Sequence, residues 1–219
     1  MSEFNFDEAG QLIFCINFQD LNSLLMLKPA IALAESVNLP LRFLPLVGEP
    51  AVSSRQPGPE DDSEMARYKA HRQLIRRQYA EMDQQRNAAQ LGLSAADVQR
   101  IADASLASIG LIWMWQYGAG AEQYYVRRVF DAHYSKHRDI ELREVINLLL
   151  EEAGASIRGF GEFQGGEGQL QLDSLQKQFL DSGLYTAPAL FVGGEWYIGR
   201  EHLPLIYWKL KGEVGTAPV

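Results

Sequence analysis

The chain has 219 residues and a single cysteine, Cys15. One thiol cannot close an internal disulfide, so nothing marks the chain as built for an oxidising compartment. No Cys-x-x-Cys occurs, and without it disulfide exchange by this chain alone is excluded on chemical grounds. Basic charge is also in short supply. The 20 Lys and Arg are outnumbered by 28 Asp and Glu, giving a formal net charge of −8. This balance argues against nucleic acid or an anionic membrane as partner. His71, Arg72, Arg76 and Arg77 lie among acids in a predicted helix and read as a solvated face. No apolar run reaches membrane-spanning length; the longest, residues 109–115, is too short. Residues 1–8 are acidic and lack the basic-then-apolar order of a signal peptide. The expectation is a cytoplasmic protein.

What is present is an apolar fraction of 47%, ample for a sizeable core. Residues 11–18 hold a continuous apolar run through Leu12, Ile13, Phe14, Cys15 and Ile16, as in a strand buried on both faces. After a break at 19–22, residues 23–37 place Leu24, Leu27, Ile31 and Ala34 at helical core spacing, with Pro29 as a kink. Residues 39–46 read as a second strand, completing a right-handed βαβ unit. Residues 48–62 are rich in Pro, Gly, Ser and acids and read as a surface loop. The spacing then predicts a helix over 63–91, and another opening at the Ser94 and Asp97 capping box and running to about 117. A further helix follows over 119–136. Asp139 is expected to cap the next, with Leu142, Val145, Ile146, Leu149 and Leu150 as its stripe and Gly154 past its end. Residues 159–168 read as a glycine-rich connector; without a Gly-Lys-Ser/Thr ending they do not form a phosphate cradle. A helix over 170–182 follows.

Near the C-terminus, Pro188 opens a short strand, where a residue without an N–H is tolerated. Gly193 and Gly194 supply a tight turn. A second short strand, a closing helix from Glu201 and a frayed tail complete the chain. The order is α/β: a βαβ half, a block of helices, and a ββα half. It resembles a thioredoxin fold (βαβ…ββα) with a helical domain inserted in its middle. Residues 11–47 and 183–212 would form the thioredoxin-like domain, and 60–182 the insert.

Several local patterns extend the resemblance to DsbA-like oxidoreductases, 2-hydroxychromene-2-carboxylate isomerases and kappa-class glutathione transferases. Tyr79, Asp83, Arg86, Ala88 and Gly92 are similar to the isomerase branch's Tyr-x3-Asp-x2-Arg-x-Ala-x3-Gly. Phe130, Ala132, Tyr134, Asp139 and Ile140 resemble its Phe-x-Ala-aromatic … Asp-Ile helix end. Gly199-Arg200-Glu201-His202-Leu203 stands where that branch carries Gly-x-Asp-Arg-Leu. The fold implied is thioredoxin-like, with a cis-proline at Pro188 bordering the active site.

In thiol-redox members of such a family the turn after the first strand holds Cys-x-x-Cys, whose thiolate the helix N-terminus stabilises. Here those four positions are Asp20-Leu21-Asn22-Ser23. Cys15 lies inside the first strand and reads as a small buried apolar side chain. In the isomerase and transferase branches a serine at the first position holds or activates a glutathione thiol. The resemblance therefore implies Asp20 and Ser23 as catalytic residues, with Asn22, Ala187, Pro188, Arg200 and Glu201 binding glutathione. An ionised Asp20 would repel a thiolate, whereas a protonated one, or one acting as general base, is compatible with it. Asp and Ser are equally good helix caps, so capping alone also accounts for both. Ala187 offers backbone groups for an extended peptide to pair with. Glu201 suits either the α-amino group of glutathione or the helix macrodipole, and the free N–H groups there suit a ligand carboxylate.

His133 and His137 share one predicted helix face, but no carboxylate or cysteine completes a metal site. Of Trp113, Trp115, Tyr117, Tyr124 and Tyr125, some are expected to line the inter-domain groove and most to be core. Three readings follow. The first is a glutathione-dependent isomerase or transferase acting on a small electrophile. The second is a non-catalytic binding module holding a small molecule or peptide in the groove. The third is a thiol-disulfide oxidoreductase, which the missing sulfurs oppose. A homodimer is compatible with all three.

Overall fold

A computed structural model describes residues 10–48, 64–98 and 102–218. The acidic opening segment and nearly all of the 48–62 loop lie outside them. Strand β1 (Leu12–Ile16) is buried at every position, as its unbroken apolar run requires. It pairs in parallel with β2 (Leu41–Pro45), Phe14 opposite Phe43. On its other side it runs antiparallel to β3 (Ala189–Val192), Phe14 opposite Leu190. β3 in turn pairs with β4 (Glu195–Ile198). The strand order is β2-β1-β3-β4. Helix α1 (Leu21–Val37) makes the crossover, and the assigned helix continues through Pro29. Asn38 ends it in the left-handed region (φ 53°), its N–H donating to the carbonyls of Ala34 and Glu35.

The sheet separates two apolar layers, because alternate residues of a strand point to opposite faces. Leu12, Phe14 and Ile16 join Phe43, Leu190 and Val192 in the larger core, with Met26 and Ala30 of α1. Ile13, Cys15 and Ala189 face the other way, toward Leu175, Phe179 and Leu184.

The middle of the chain is helical: α2 (Glu64–Gln90), α3 (Ala95–Val98), α4 (Ser105–Met114), α5 (Ala119–Phe130), α6 (Arg143–Glu152), α7 (Phe160–Gly165) and α8 (Glu167–Asp181). A 3-10 turn over Arg200–His202 leads into α9 (Leu203–Leu210). α4 is the hub, buried from Leu106 to Ile112.

Three expectations need correction. The helix predicted over 94–117 is interrupted. The capping box forms, with Ser94 N–H donating to Asp97 Oδ2 (2.6 Å) and Asp97 N–H to Ser94 Oγ (3.3 Å), yet α3 is one turn long and α4 starts only at Ser105. Asp139 does not cap α6: its carboxylate accepts the Glu141 N–H (2.9 Å) in a separate turn, and Leu142 is exposed. Residues 159–168 are not a loop. They form α7 and the start of α8, and Gly168 is there for contact. A Cβ at Gly168 would lie 2.7 Å from the Phe163 ring and 2.8 Å from Ile109 Cγ2, so only glycine lets α8 press this closely on its neighbours.

Candidate functional site

The segments that follow β1 and β2 meet the segment that precedes β3. β1 ends at Ile16, and Asn17 organises the turn beyond it. Its Oδ1 accepts the Gln19 N–H (2.9 Å), and its Nδ2 donates to the Gly48 carbonyl (3.1 Å). Asp20 N–H donates to the Asn17 carbonyl and Ser23 N–H to the Asp20 carbonyl. Asp20 is the N-cap of α1, its Oδ1 accepting the Asn22 N–H at 2.9 Å. This is the capping that serine, asparagine and aspartate provide at a helix start.

Asp20 has a second aspect. Together with Asn17, Leu46, Val47, Gly48 and Ala187 it lines a cavity of about 180 Å³, whose remaining wall comes from α8 and from residues 184–186. Its side chain is almost wholly buried. Burial pushes the carboxyl up to about 6, while hydrogen bonds from Asn22 and the charge of Arg200 pull it down. Tyr134 is fully buried and its Oη has no hydrogen-bond partner among the described residues. Burial, and then the Asp20 charge, hold its hydroxyl well above the usual tyrosine range. Both effects disfavour a charged form in a dry setting.

Opposite the turn, the Ala187–Pro188 peptide bond is cis. The Pro188 carbonyl accepts the Gly199 N–H (2.9 Å), tying this segment to the end of β4. Gln176 completes the wall from α8. Its Oε1 accepts the Val47 N–H (2.9 Å) and its Nε2 donates to the Pro45 carbonyl (3.0 Å). The side-chain amide thus satisfies backbone groups at the end of β2 where no further strand does. No sequence signal singles out Gln176, because its partners lie about 130 residues away.

Asp20 and Ala187, expected at the site from the sequence, are brought to this one cavity; the others are not among its lining residues. Ser23 is fully buried, and its Oγ accepts the Asn17 N–H at 3.0 Å, so its hydroxyl braces the turn from behind. Asn22 is half-buried and Glu201 exposed. Arg200 Nη2 donates to Asp83 Oδ2 of α2 at 3.2 Å, near enough to Asp20 to act on its charge. Cys15 is fully buried, and burial holds its thiol well above the usual value.

The aromatic expectation is corrected as well. Tyr125 is core, its Oη donating to the Ala107 carbonyl (3.0 Å). Trp113 packs against Phe160 and Phe163, and Trp115 Nε1 donates to the Phe43 carbonyl. The aromatics that do line the cavity are Phe179 and Tyr185. His133 and His137 do not share a helix face. Helix α5 widens into a π turn over Asp131–Ser135, and His137 lies past it at φ 51°, paired with Asp97 (3.3 Å). Among the described residues no three His, Cys, Asp or Glu side chains cluster as metal ligands, and no helix is long and apolar enough to cross a membrane.

Residues 17–210 match the family model described as DSBA-like thioredoxin domain. Among solved structures the chain is similar to a 2-hydroxychromene-2-carboxylate isomerase, at 18% identity over 93% of this chain and 94% of that one, with a TM-score of 0.60. It is also similar to the cytosolic disulfide reductase DsbM from Pseudomonas aeruginosa solved with GSH. There the identity is 14% over 88% of this chain and 92% of the other, and the TM-score is 0.54. No curated protein matches the chain. At these identities the structural likeness is one of fold.

Proposed function

The chain belongs to the DSBA-like thioredoxin domain family, and from that premise we propose that its cavity binds glutathione with Asp20 as the base for the thiol. The activity this supports is that of a glutathione-dependent isomerase or transferase acting on a small electrophile. The observation that carries it is the pairing, in one cavity, of a buried carboxyl raised to about 6 with the Ala187 backbone. The GSH in the DsbM structure supports the choice of ligand.

The raised carboxyl answers the objection that an acid repels a thiolate. The proton leaves the sulfur and arrives on Asp20, so the cavity carries one negative charge before and after. The thiolate then faces a neutral carboxyl that can donate a hydrogen bond to it. A free thiol titrates near 8.5, so handing its proton to a carboxyl near 6 costs about 3 kcal/mol, roughly half the cost for an ordinary aspartate. The thiolate adds to the electrophilic carbon. In an isomerisation the adduct later expels the thiolate, which recovers its proton from Asp20. In a transfer the carbon–sulfur bond stays, and the proton passes to the leaving group. Ala187 would align the peptide by strand pairing.

One observation favours the second reading, a binding module for peptides. Leu180 (68% exposed) and Tyr185 (74%) stand on the cavity wall with their apolar surface in water. Disulfide exchange would need both thiols from a partner.

Calorimetric titration with glutathione and with S-methylglutathione, alongside ultraviolet thiolate absorbance, tests the reading. The expected result is heat with both ligands and a thiolate signal with glutathione. In Asp20→Asn the expected result is unchanged S-methylglutathione binding without that signal. Absence of both heat and thermal protection at millimolar glutathione would overturn it. Binding without thiolate in either protein would favour the binding module.

A further inference from the structure

Among the described residues β2 is an edge strand of the sheet. An edge leaves a row of N–H and C=O groups available for pairing with another chain. Leu46 N–H donates inward, to the Ile16 carbonyl of β1 (2.8 Å). Successive residues of an extended chain turn their backbone groups to opposite sides, so the Pro45 carbonyl and the Val47 N–H face outward. Gln176 of α8 takes both, at 3.0 and 2.9 Å. Before it along the same edge, Trp115 Nε1 donates to the Phe43 carbonyl (3.1 Å).

The two closures differ in kind. An indole has one donor and no acceptor, so it can only cap a carbonyl. A glutamine amide carries the N–H and C=O of a peptide group. In a parallel ladder, one residue of an added strand gives its N–H to residue i and accepts the N–H of residue i+2. Gln176 does this with Pro45 and Val47, and its side chain stands where a residue of a further strand would stand. That place borders the cavity, which Val47 and Gln176 line together with Asp20 and Ala187. Two stretches of backbone thus bound the cavity, residues 45–47 and the segment at Ala187, and Gln176 fills the first.

We propose that Gln176 is a specificity-determining residue: by filling the β2 edge it leaves a ligand only the Ala187 segment to pair with, and so selects a short peptide such as glutathione over an extended polypeptide strand. This rests on the reading that Ala187 aligns the ligand. A chain lying along the cavity must order each of its residues, at a cost in conformational entropy. At the β2 wall it gains no backbone hydrogen bond against that cost. Pro45 and Val47 are already satisfied, and displacing Gln176 would exchange one pair of bonds for another. A tripeptide has few residues to order and needs one wall. A longer strand loses the main-chain bonds that make strand addition favourable.

Calorimetric titration with an end-blocked Val-Thr-Val-Thr-Val peptide, together with hydrogen exchange of the Val47 amide, tests the assignment. In the native protein the Val47 N–H should be protected, and the peptide should leave its exchange unchanged. In Gln176→Ala that amide should exchange about tenfold faster. The peptide should bind the variant about tenfold more tightly than the native protein, the scale of one or two net hydrogen bonds, and should restore the protection. Gln176→Met keeps the length of the side chain without its amide and should behave in the same way, so the test stands even if the alanine variant folds poorly. A merely structural role for Gln176 would speed the exchange without tightening the peptide. Equal peptide affinity in native and variant proteins, or a peptide-bound variant whose Val47 amide stays unprotected, would overturn the proposal. S-methylglutathione titrated in parallel keeps the two readings apart. No heat with it, beside the expected peptide results, would count against glutathione alone and leave Gln176 as the residue that closes the β2 wall.

Discussion

Asp20 and Glu122 are both carboxylic acids removed from water, the first 3% exposed and the second 0%, and burial raises both, to about 6 and about 7. What surrounds them differs. Glu122, in α5, has Arg42 of β2 against it, Nη1 to Oε1 at 2.8 Å, and the same guanidinium lies over the Trp115 ring. A full countercharge is in contact, and the pair joins a helix to the sheet. Asp20 is held by Asn22 and feels Arg200 only through its field, and it forms part of a cavity wall. Burial and a raised pKa are thus common to a packing joint and a candidate catalytic acid. The partner in contact, and the empty space beside the group, separate the two.

Removing Arg42 should break this contrast most visibly. Arg42→Leu leaves Glu122 buried without its countercharge, and the expected cost is about 3–5 kcal/mol at pH 8, read from urea unfolding. A cost below about 1 kcal/mol would mean that the pair holds nothing together.

Asp20→Asn is expected to act with the opposite sign. A carboxyl whose folded pKa lies above its unfolded value binds its proton more tightly when folded. Stability then falls as pH rises from about 4 to about 6, because the unfolded chain releases the proton first. Asparagine keeps the cap and removes the charge, so the variant should gain up to about 3 kcal/mol at pH 8, at 1.36 kcal/mol per pKa unit. The gain should vanish below about pH 4. A variant less stable than the native protein at pH 8 would make Asp20 a cap and nothing more.

Ser23→Ala sharpens the contrast within the turn. It leaves the buried Asn17 N–H without an acceptor, at an expected cost of about 1–3 kcal/mol, with S-methylglutathione binding retained in calorimetry. Loss of that binding in a variant of native stability would return Ser23 to the ligand.

The strands were legible because each carried its own pattern. The run from Leu12 to Ile16 has no alternative to a strand buried on both faces, and Pro188 with Gly193 and Gly194 delimits the last hairpin. The helix breaks were less legible. Nothing local distinguishes the glycines at 159–168 from a connector, since a glycine required by a neighbour 59 residues earlier looks like one required by a turn. At the site, the sequence pointed to Asp20 and Ala187, one by its place after β1 and the other by the proline after it. Gln176 and Tyr134 gave no such sign.

The sequence alone determined that no dithiol chemistry is available, because Cys15 stands by itself. It also determined the order of strand, helix and hairpin, because periodicity and turn residues act over a few neighbours. Tertiary structure decided what local pattern cannot encode. It turned Ser23 inward to the Asn17 N–H, set Gln176 across the end of β2, and put Asp20 and Ala187, 167 residues apart, on one cavity. Burial and contact belong to distances through space, and those exist only once the sheet has brought the two halves of the chain together.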